Sequence, residues 1–373
     1  MKTAVLAWAV LLAGCAVDGG PEPEERAAEG TTCSTATAWV AGKWYRAGAV
    51  VKYTDGKHYV AEHGNPGYVP TISTWYWDPK SCGVVVTPPP TATPTPTTPP
   101  PPTAGLPAKV VAGYYPDWPE SAIRVRDVNA NYNVIYLFAA RPVGGAPGTT
   151  GAVAWSPPGN GRGAATNFNA DVQYARKEQG RKIILSIGGA GNGMTFPSRT
   201  KSQTFVESVV GLYDKFGGFD GIDWNTFEAD QAPDTAEMKW ISLELKRRYP
   251  GFLVTAPPAP WSARDKAFCA EMVRDGAMDY VAPQYYDGPG LDQQSYIVKN
   301  VKEWIALVGA SKVVVGFGIW DQPNYMSIGE AVPTWNELEA ANPTIRGAFD
   351  WAIHLDESQG WPFATKLGPI VRY

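Results

Sequence analysis

This sequence of 373 residues has few histidines, no run of basic residues and only a short apolar segment at its N-terminus, and each of these features argues against a class of function. Histidine occurs only at His58, His63 and His354, without ligand-like clustering, so we expect no metal site and no cofactor. Lysine and arginine form no run and the net charge is -4, which argues against a nucleic-acid partner. The N-terminal apolar run, Ala4 to Leu12, is too short to cross a bilayer.

The N-terminus has the features of an export signal. Met1-Lys2 supplies a charged start, and the apolar run follows it. The run ends in Leu12-Ala13-Gly14-Cys15, which resembles the bacterial lipoprotein box and implies lipidation of Cys15; the alternative is an ordinary cleavable signal. We therefore expect residues 1–15 to be a signal peptide and 16–30 a flexible tether. The protein would be extracellular or a cell-envelope lipoprotein, touching a membrane only through a lipid on Cys15.

The four cysteines fit this exported location. With Cys15 as the processing site, Cys33 and Cys82 bracket a small segment, and an oxidising compartment favours a disulfide between them. Cys269 lies in a helical pattern of apolar residues, which indicates a buried structural thiol rather than a nucleophile.

Residues 31–83 are rich in aromatic side chains and precede a Pro/Thr linker, residues 84–107, that favours extended polyproline II. A core of this size cannot hide so many rings, and exposed rings stack on sugars; the alternative is a compact β-module whose aromatics are all core. A β-hairpin is predicted by the alternation around Val51 and Tyr59 with Thr54-Asp55-Gly56 between them. The aromatic residues are Trp39, Trp44, Tyr45, Tyr53, Tyr59, Tyr68, Trp75, Tyr76 and Trp77.

This segment resembles the small chitin- and cellulose-binding modules of bacterial chitinases. The resemblance is carried by Ala38-Trp39, Tyr45, the hairpin, Asn65-Pro66-Gly67 and Trp75-Tyr76-Trp77. It implies that Tyr45, Trp75 and Trp77 face the polysaccharide. His63 replaces a tryptophan common in that region.

Residues 108–373 have the length and pattern of a (β/α)8 TIM barrel. Apolar runs typical of strands alternate with helical patterns, one of which begins at Asp234 with Glu237 as a capping box. We expect functional side chains just beyond the strand ends, and the residues found there suit sugar binding. The predicted strands are Lys109–Tyr115, Asn133–Phe138, Lys182–Ile187, Phe219–Asn225, Phe252–Ala256, Asp279–Tyr285, Lys312–Phe317 and Ile345–Ile353. The predicted substrate-binding residues are Tyr115, Gln284, Asp287, Trp320 and Trp351.

The barrel segment resembles family 18 glycoside hydrolases through four motifs, one on each of the third, fourth, sixth and eighth strands. The resemblance implies hydrolysis of chitin, in which the substrate's own acetamide attacks the anomeric carbon and a single carboxylic acid protonates the leaving group. It also implies that Tyr286 hydrogen-bonds the acetamide and that Trp351 lies beneath the sugar. The motifs are Ser186-Ile187-Gly188-Gly189, Phe219-Asp220-Gly221-Ile222-Asp223, Gln284-Tyr285-Tyr286-Asp287 and Gly347-Ala348-Phe349-Asp350-Trp351.

The fourth-strand motif departs from the family pattern Asp-x-x-Asp-x-Asp-x-Glu. Asn225 replaces the third aspartate, and Glu228 arrives one residue late. Without a gap, Phe227 occupies the position of the acid and the barrel is a sugar-binding domain without a catalyst. With a β-bulge at Thr226-Phe227, Glu228 turns back to the cleft, which is the alignment we favour. Asn225 carries no charge, so we expect slow turnover.

The leading hypothesis is a monomeric chitinase-like hydrolase with Glu228 as the acid, supported by Asp223, Asn225 and Tyr286. The first alternative is a non-catalytic chitin lectin. The second is an endo-β-N-acetylglucosaminidase acting on N-glycans, which the aromatic module disfavours because it suits an insoluble polymer.

Overall fold

The computed structural model describes residues 32–71, 76–82, 105–144, 150–226 and 234–372. The predicted signal peptide, Cys15, tether and Pro/Thr linker lie outside these ranges, except for the last residues of the linker, and so do Trp75 and Glu228. The chain divides into two compact units, Met1–Thr95 and Pro96–Tyr373. Within the described ranges, no helix is both long enough and apolar enough to cross a membrane.

The N-terminal unit contains a four-stranded sheet in the order β1-β2-β3-β4. The strands β2 and β3 form the predicted antiparallel hairpin, with Val51 opposite Tyr59. The predicted disulfide between Cys33 and Cys82 is also confirmed. The strands are β1 (Thr37–Ala38), β2 (Val50–Lys52), β3 (His58–Ala61) and β4 (Trp77–Lys80).

The core of this unit corrects two predicted sugar-binding residues. Tyr45 and Trp77 are both fully buried and pack edge to face with ring centroids 5.2 Å apart. The Tyr45 hydroxyl accepts a hydrogen bond from the Val40 N–H at 2.7 Å, and Trp77 Nε1 donates to the Tyr68 carbonyl at 2.8 Å. Their polar atoms are therefore satisfied inside the unit, and the prediction that they face a polysaccharide is wrong.

The C-terminal unit is a curled, mainly parallel sheet with helices between its strands. Each predicted strand overlaps at least one observed strand. The strands are β5 (Val110–Pro116), β6 (Val134–Pro142), β7 (Val153–Ala154), β8 (Lys182–Gly188), β9 (Gly221–Asn225), β10 (Leu253–Ala256), β11 (Tyr280–Val281), β12 (Gln284–Tyr285), β13 (Val314–Phe317) and β14 (Gly347–Asp350). The α-helices are α1 (Ala164–Lys177), α2 (Arg199–Lys215), α3 (Thr235–Arg248), α4 (Ala263–Arg274), α5 (Gln294–Val308), α6 (Ile328–Ala341), α7 (Ile353–Ser358) and α8 (Gly368–Arg372). Short helical turns occupy Val125–Asp127, Ala310–Lys312 and Phe363–Leu367.

The two ends of the curled sheet meet in one segment of the chain. The sheet order is β11-β10-β9-β8-β6-β5-β14-β13-β12, with β7 paired to β6. β11 pairs with β10 and β12 pairs with β13, and only two residues separate β11 from β12. Gln284 N–H donates to the Pro258 carbonyl, and Gly316 N–H donates to the Pro283 carbonyl. The segment 280–285 therefore bonds to both neighbours, and the carboxyl ends of the parallel strands surround one opening, here called the mouth.

The helices bury one apolar face each against the outside of the sheet. In α3, Met238, Ile241 and Leu245 are buried, as their spacing predicts. The predicted start of this helix is confirmed, because the Asp234 side chain accepts a hydrogen bond from Glu237 N–H. Cys269 is a free, fully buried thiol on α4, also as predicted.

Candidate active site

Asp223 is a carboxylate held inside the curled sheet. Its side chain is fully buried and accepts hydrogen bonds from Ser186 Oγ at 2.9 Å, Thr255 Oγ1 at 2.7 Å and the Tyr114 hydroxyl at 2.9 Å. Burial raises the pKa of Asp223 to about 6, because desolvation of the charge outweighs the three hydrogen bonds that favour ionisation. The group therefore changes charge in the mildly acidic range.

The strand β9 alternates between the inside and the outside of the sheet. Trp224 faces the helices, where its Nε1 donates to Ser242 Oγ at 3.0 Å. The alternation places Asn225 on the same inner face as Asp223, and Asn225 is only 4% exposed. Asn225 thus lies on the inner face together with Asp223, whereas Glu228 lies outside the described residues.

Glycines at the end of β8 permit a close approach to β9. Gly188 and Gly189 both have positive φ, at 101° and 88°. A Cβ at Gly188 would lie 2.4 Å from the Asn225 carbonyl oxygen, and Gly189 N–H donates to that same oxygen at 2.7 Å. The two glycines of the Ser-Ile-Gly-Gly motif therefore hold the end of β9 next to β8.

Tyr286 is the centre of a second part of the site. Its hydroxyl donates to Gln284 Oε1 at 2.7 Å, and Gln284 Nε2 donates to the Pro257 carbonyl at 2.7 Å. The Tyr286 ring is nearly parallel to that of Trp351, with 6.2 Å between centroids and 17° between planes. The predicted residues Gln284, on β12, Tyr286, just after it, and Trp351, just after β14, thus come together.

Trp351 belongs to a group of neighbouring aromatic rings, only some of which the sequence predicts at the site. Its ring lies 4.9 Å from Phe138, 5.3 Å from Tyr114 and 6.1 Å from Trp118, measured between centroids. Trp118 is 48% exposed and was not among the predicted residues. Its position three residues after Tyr115, just beyond the end of β5, is the signal that could have identified it.

Tyr115 does not belong to the site, so this prediction is wrong. It packs in the outer core between sheet and helices, and its hydroxyl donates to the Ile123 carbonyl at 2.6 Å. Its neighbour Tyr114 faces inward and contacts Asp223 instead. Tyr114 thus takes the inward position that was predicted for Tyr115, because adjacent side chains on a strand point to opposite faces.

Asp287 and Trp320, the remaining predicted residues, both lie near Tyr325. The Tyr325 ring lies 5.9 Å from that of Tyr286 and 5.3 Å from that of Trp320. Burial, followed by the charge and hydrogen bond of Asp287, raises the pKa of Tyr325 to about 12. Asp287 has a φ of 57°, and its N–H donates to the Asn324 carbonyl. Trp320 is 36% exposed. A continuous row of rings thus runs from Trp118 to Trp320.

The mouth thus combines flat rings with a small set of polar groups, an arrangement that suits binding of a sugar. Across the described ranges, no cluster of three or more His, Cys, Asp or Glu side chains is arranged to hold a metal ion. The chain belongs to the glycosyl hydrolases family 18, whose family model matches residues 110–364.

Relatives in this family include several chitinases. The chain is 31% identical to chitinase Chi52 of Paenibacillus xylanexedens over 117 residues, which cover 31% of this chain and 21% of Chi52. It is 24% identical to endochitinase 37 of Trichoderma harzianum over 318 residues, 70% of this chain and 90% of that protein. A family 18 chitinase structure from Chromobacterium violaceum superposes with a TM-score of 0.63 at 21% identity, covering 91% of this chain and all of the other. The structural likeness shows a shared fold.

Proposed function

We propose that this protein hydrolyses chitin, the β-1,4-linked polymer of N-acetylglucosamine, by a substrate-assisted retaining mechanism. The observation that carries the proposal is the buried Asp223, ionisable near pH 6, on the same strand face as Asn225 and inside a mouth lined by Tyr286 and Trp351. The chitinases among its relatives support chitin as the substrate.

In the proposed reaction the acetamide oxygen of the substrate attacks the anomeric carbon and the glycosidic bond breaks. Glu228 gives its proton to the departing oxygen, and the sugar becomes a cyclic oxazolinium ion. Water, deprotonated by the same carboxylate, then opens the ring with net retention of configuration. Glu228 lies three residues after the end of β9 in the sequence, which supports its assignment as the acid.

The described residues would stabilise the positive charge of the oxazolinium ion. Asp223 supplies the negative charge when it is ionised, which requires a pH above about 6. Asn225 offers an amide oxygen that can accept a hydrogen bond from the acetamide N–H. The Tyr286 hydroxyl, now bonded to Gln284, can turn to the acetamide oxygen, while Trp351 stacks beneath the ring.

We further propose that the N-terminal unit binds the polymer through aromatic residues other than the two in its core. Trp44 is 47% exposed and Tyr68 is 44% exposed. The Tyr68 ring lies 4.7 Å from Tyr76, and Tyr76 lies 6.4 Å from His63. Trp75, outside the described residues, remains a candidate for polysaccharide binding.

The disulfide between Cys33 and Cys82 supports our proposal of an exported protein, because such bonds persist in oxidising compartments. The signal-like N-terminus supports the same location, with a lipid on Cys15 as the proposed anchor. We propose a monomer as the working form.

The decisive experiment is release of soluble N-acetylglucosamine oligomers from chitin by the full chain and by Glu228→Gln. We expect release by the wild type and a loss of at least about a hundredfold in the variant. Glu178→Gln, which changes an exposed glutamate after α1, is the matched control and should keep full activity. Equal release by both variants would remove Glu228 from the mechanism.

The charge lost at Asn225 favours one alternative, a chitin lectin without turnover. Tight binding of chitin oligomers by the wild type, with no release of product, would establish that function in place of hydrolysis.

A further inference from the structure

Trp261 is the most exposed large apolar side chain of the described residues, with 63% of its surface accessible. It follows β10 in a stretch that reads Pro257-Pro258-Ala259-Pro260-Trp261. Neither the row of rings from Trp118 to Trp320 nor the proposed mechanism makes use of it.

The loop that carries Trp261 is held in place on both sides. Before it, the Pro260 carbonyl accepts a hydrogen bond from Asn300 Nδ2 at 3.1 Å, and Asn300 is only 4% exposed. After it, Ser262 caps the start of α4 by accepting from Asp265 N–H. Three prolines restrict the backbone further. The indole is therefore presented to solvent by a rigid loop, which lowers the entropy cost of binding a ligand.

The same loop is hydrogen-bonded to the reaction centre. Gln284 Nε2 donates to the Pro257 carbonyl at 2.7 Å, and Gln284 Oε1 accepts from the Tyr286 hydroxyl at 2.7 Å. Gln284 N–H also donates to the Pro258 carbonyl at 3.2 Å. One side chain thus connects the Trp261 loop to the tyrosine expected to contact the substrate acetamide.

Trp261 and Trp118 lie on opposite sides of the mouth. Trp118 follows β5 and Trp261 follows β10. One way around the curled sheet, β6, β8 and β9 lie between these two strands; the other way, β14, β13 and the segment that contains β12 and β11 lie between them. Trp351, after β14, is on the side of Trp118. A straight sugar chain that lies over Trp118 and crosses the mouth would leave it on the side of β10, because β10 lies opposite β5 in the strand order.

We propose that Trp261 stacks on an N-acetylglucosamine residue of the same polymer chain, on the opposite side of the scissile bond from Trp351. This inference rests on the proposed substrate, but it does not require that the chain be cleaved. Trp261 would make the site select long chains over short ones, because only a chain that crosses the whole mouth reaches both tryptophans.

The test measures binding of N-acetylglucosamine oligomers of two to six sugars to the full chain in a Glu228→Gln background, which keeps the ligand intact. We expect Trp261→Ala to weaken binding of the hexamer about tenfold and to leave the dimer within about twofold of the parent. Trp261→Phe, which keeps a flat ring, should lose less. Tyr174→Ala is the matched control, since Tyr174 is 41% exposed but lies on the outer helix α1.

Unchanged hexamer binding by Trp261→Ala would overturn the inference. An equal loss for dimer and hexamer would also overturn it, because it would reveal a general disturbance of the site. A change of oligomeric state in Trp261→Ala would assign the tryptophan to a contact between copies instead. If the wild type binds oligomers with this length dependence but releases no product from chitin, the proposed hydrolysis fails and the role of Trp261 stands.

Discussion

Replacing Asp223 with asparagine tests the electrostatics of the site through stability alone. Burial raises the pKa of Asp223 from its ordinary value of 3.8 to about 6, so the folded protein binds this proton more tightly than the unfolded chain. Stability is then lost as the pH rises between these two values, and above pH 6 the ionised group costs about 3 kcal/mol. Asp223→Asn has no such charge, so its stability relative to the wild type should rise by about that amount between pH 4 and pH 8.

The assay is urea unfolding of the C-terminal unit, followed by tryptophan fluorescence at pH 4 and pH 8. Asp350 and Asp356 also have pKa values raised by burial, but both are present in wild type and variant, so their effect cancels in the comparison. Asp214→Asn, which removes an exposed carboxylate on α2, is the control. A stability difference between Asp223→Asn and wild type that stays constant from pH 4 to pH 8 would refute the reasoning.

Three further predictions concern the chemistry and the N-terminal unit. Asn225→Asp restores a charge beside Asp223 and should raise kcat on soluble oligomers by at least about tenfold; an unchanged kcat would show that the missing charge is not limiting. Tyr286→Phe keeps the ring against Trp351 and should lower kcat by about ten- to a hundredfold with less than about 1 kcal/mol change in stability by urea unfolding. Loss of the disulfide in Cys33→Ser/Cys82→Ser should destabilise the N-terminal unit by about 2–4 kcal/mol and weaken binding to insoluble chitin, while hydrolysis of soluble oligomers is unaffected.

Most strands of the C-terminal unit were predictable because they lie in apolar runs, whereas the two-residue strand β7 was not predicted. The run from Asp279 to Tyr285 was predicted as one strand, yet the structure divides it into β11 and β12. Pro283 lies between them and has no N–H to donate, which interrupts regular pairing. The sequence pattern locates a strand of this kind well but does not show where its hydrogen bonding breaks.

The faces of the strands were harder to predict than their positions. In β5 all seven residues are buried, so polarity gives no sign of which side chains point inward. The sequence predicts Tyr115 at the site because it ends the predicted strand, and only the contact between Tyr114 and Asp223 shows that Tyr114 is the inward residue. On β9 the charged Asp223 breaks the apolar run, and this carboxylate is fully buried on the inner face.

The N-terminal unit shows the same difficulty in a smaller core. Its aromatic residues divide between the inside and the surface, and composition alone predicts only that some are exposed. Tyr45 and Trp77 are buried because their polar atoms find backbone partners within the unit, which no count of aromatics reveals. Trp44, which was not among the predicted sugar-binding residues, is about half exposed.

The position of Asp223 links the stability of this protein to its proposed activity. Three hydroxyl groups donate to one buried carboxylate, and no second described carboxylate hydrogen-bonds to it or shares its proton. With asparagine at 225, a positive charge on a bound acetamide would be balanced, among the described residues, mainly by Asp223, one inward position further from the mouth along β9. Removing that charge would make the fold more stable and the proposed site less able to stabilise the oxazolinium ion. The destabilising charge is thus best explained as a cost retained for function.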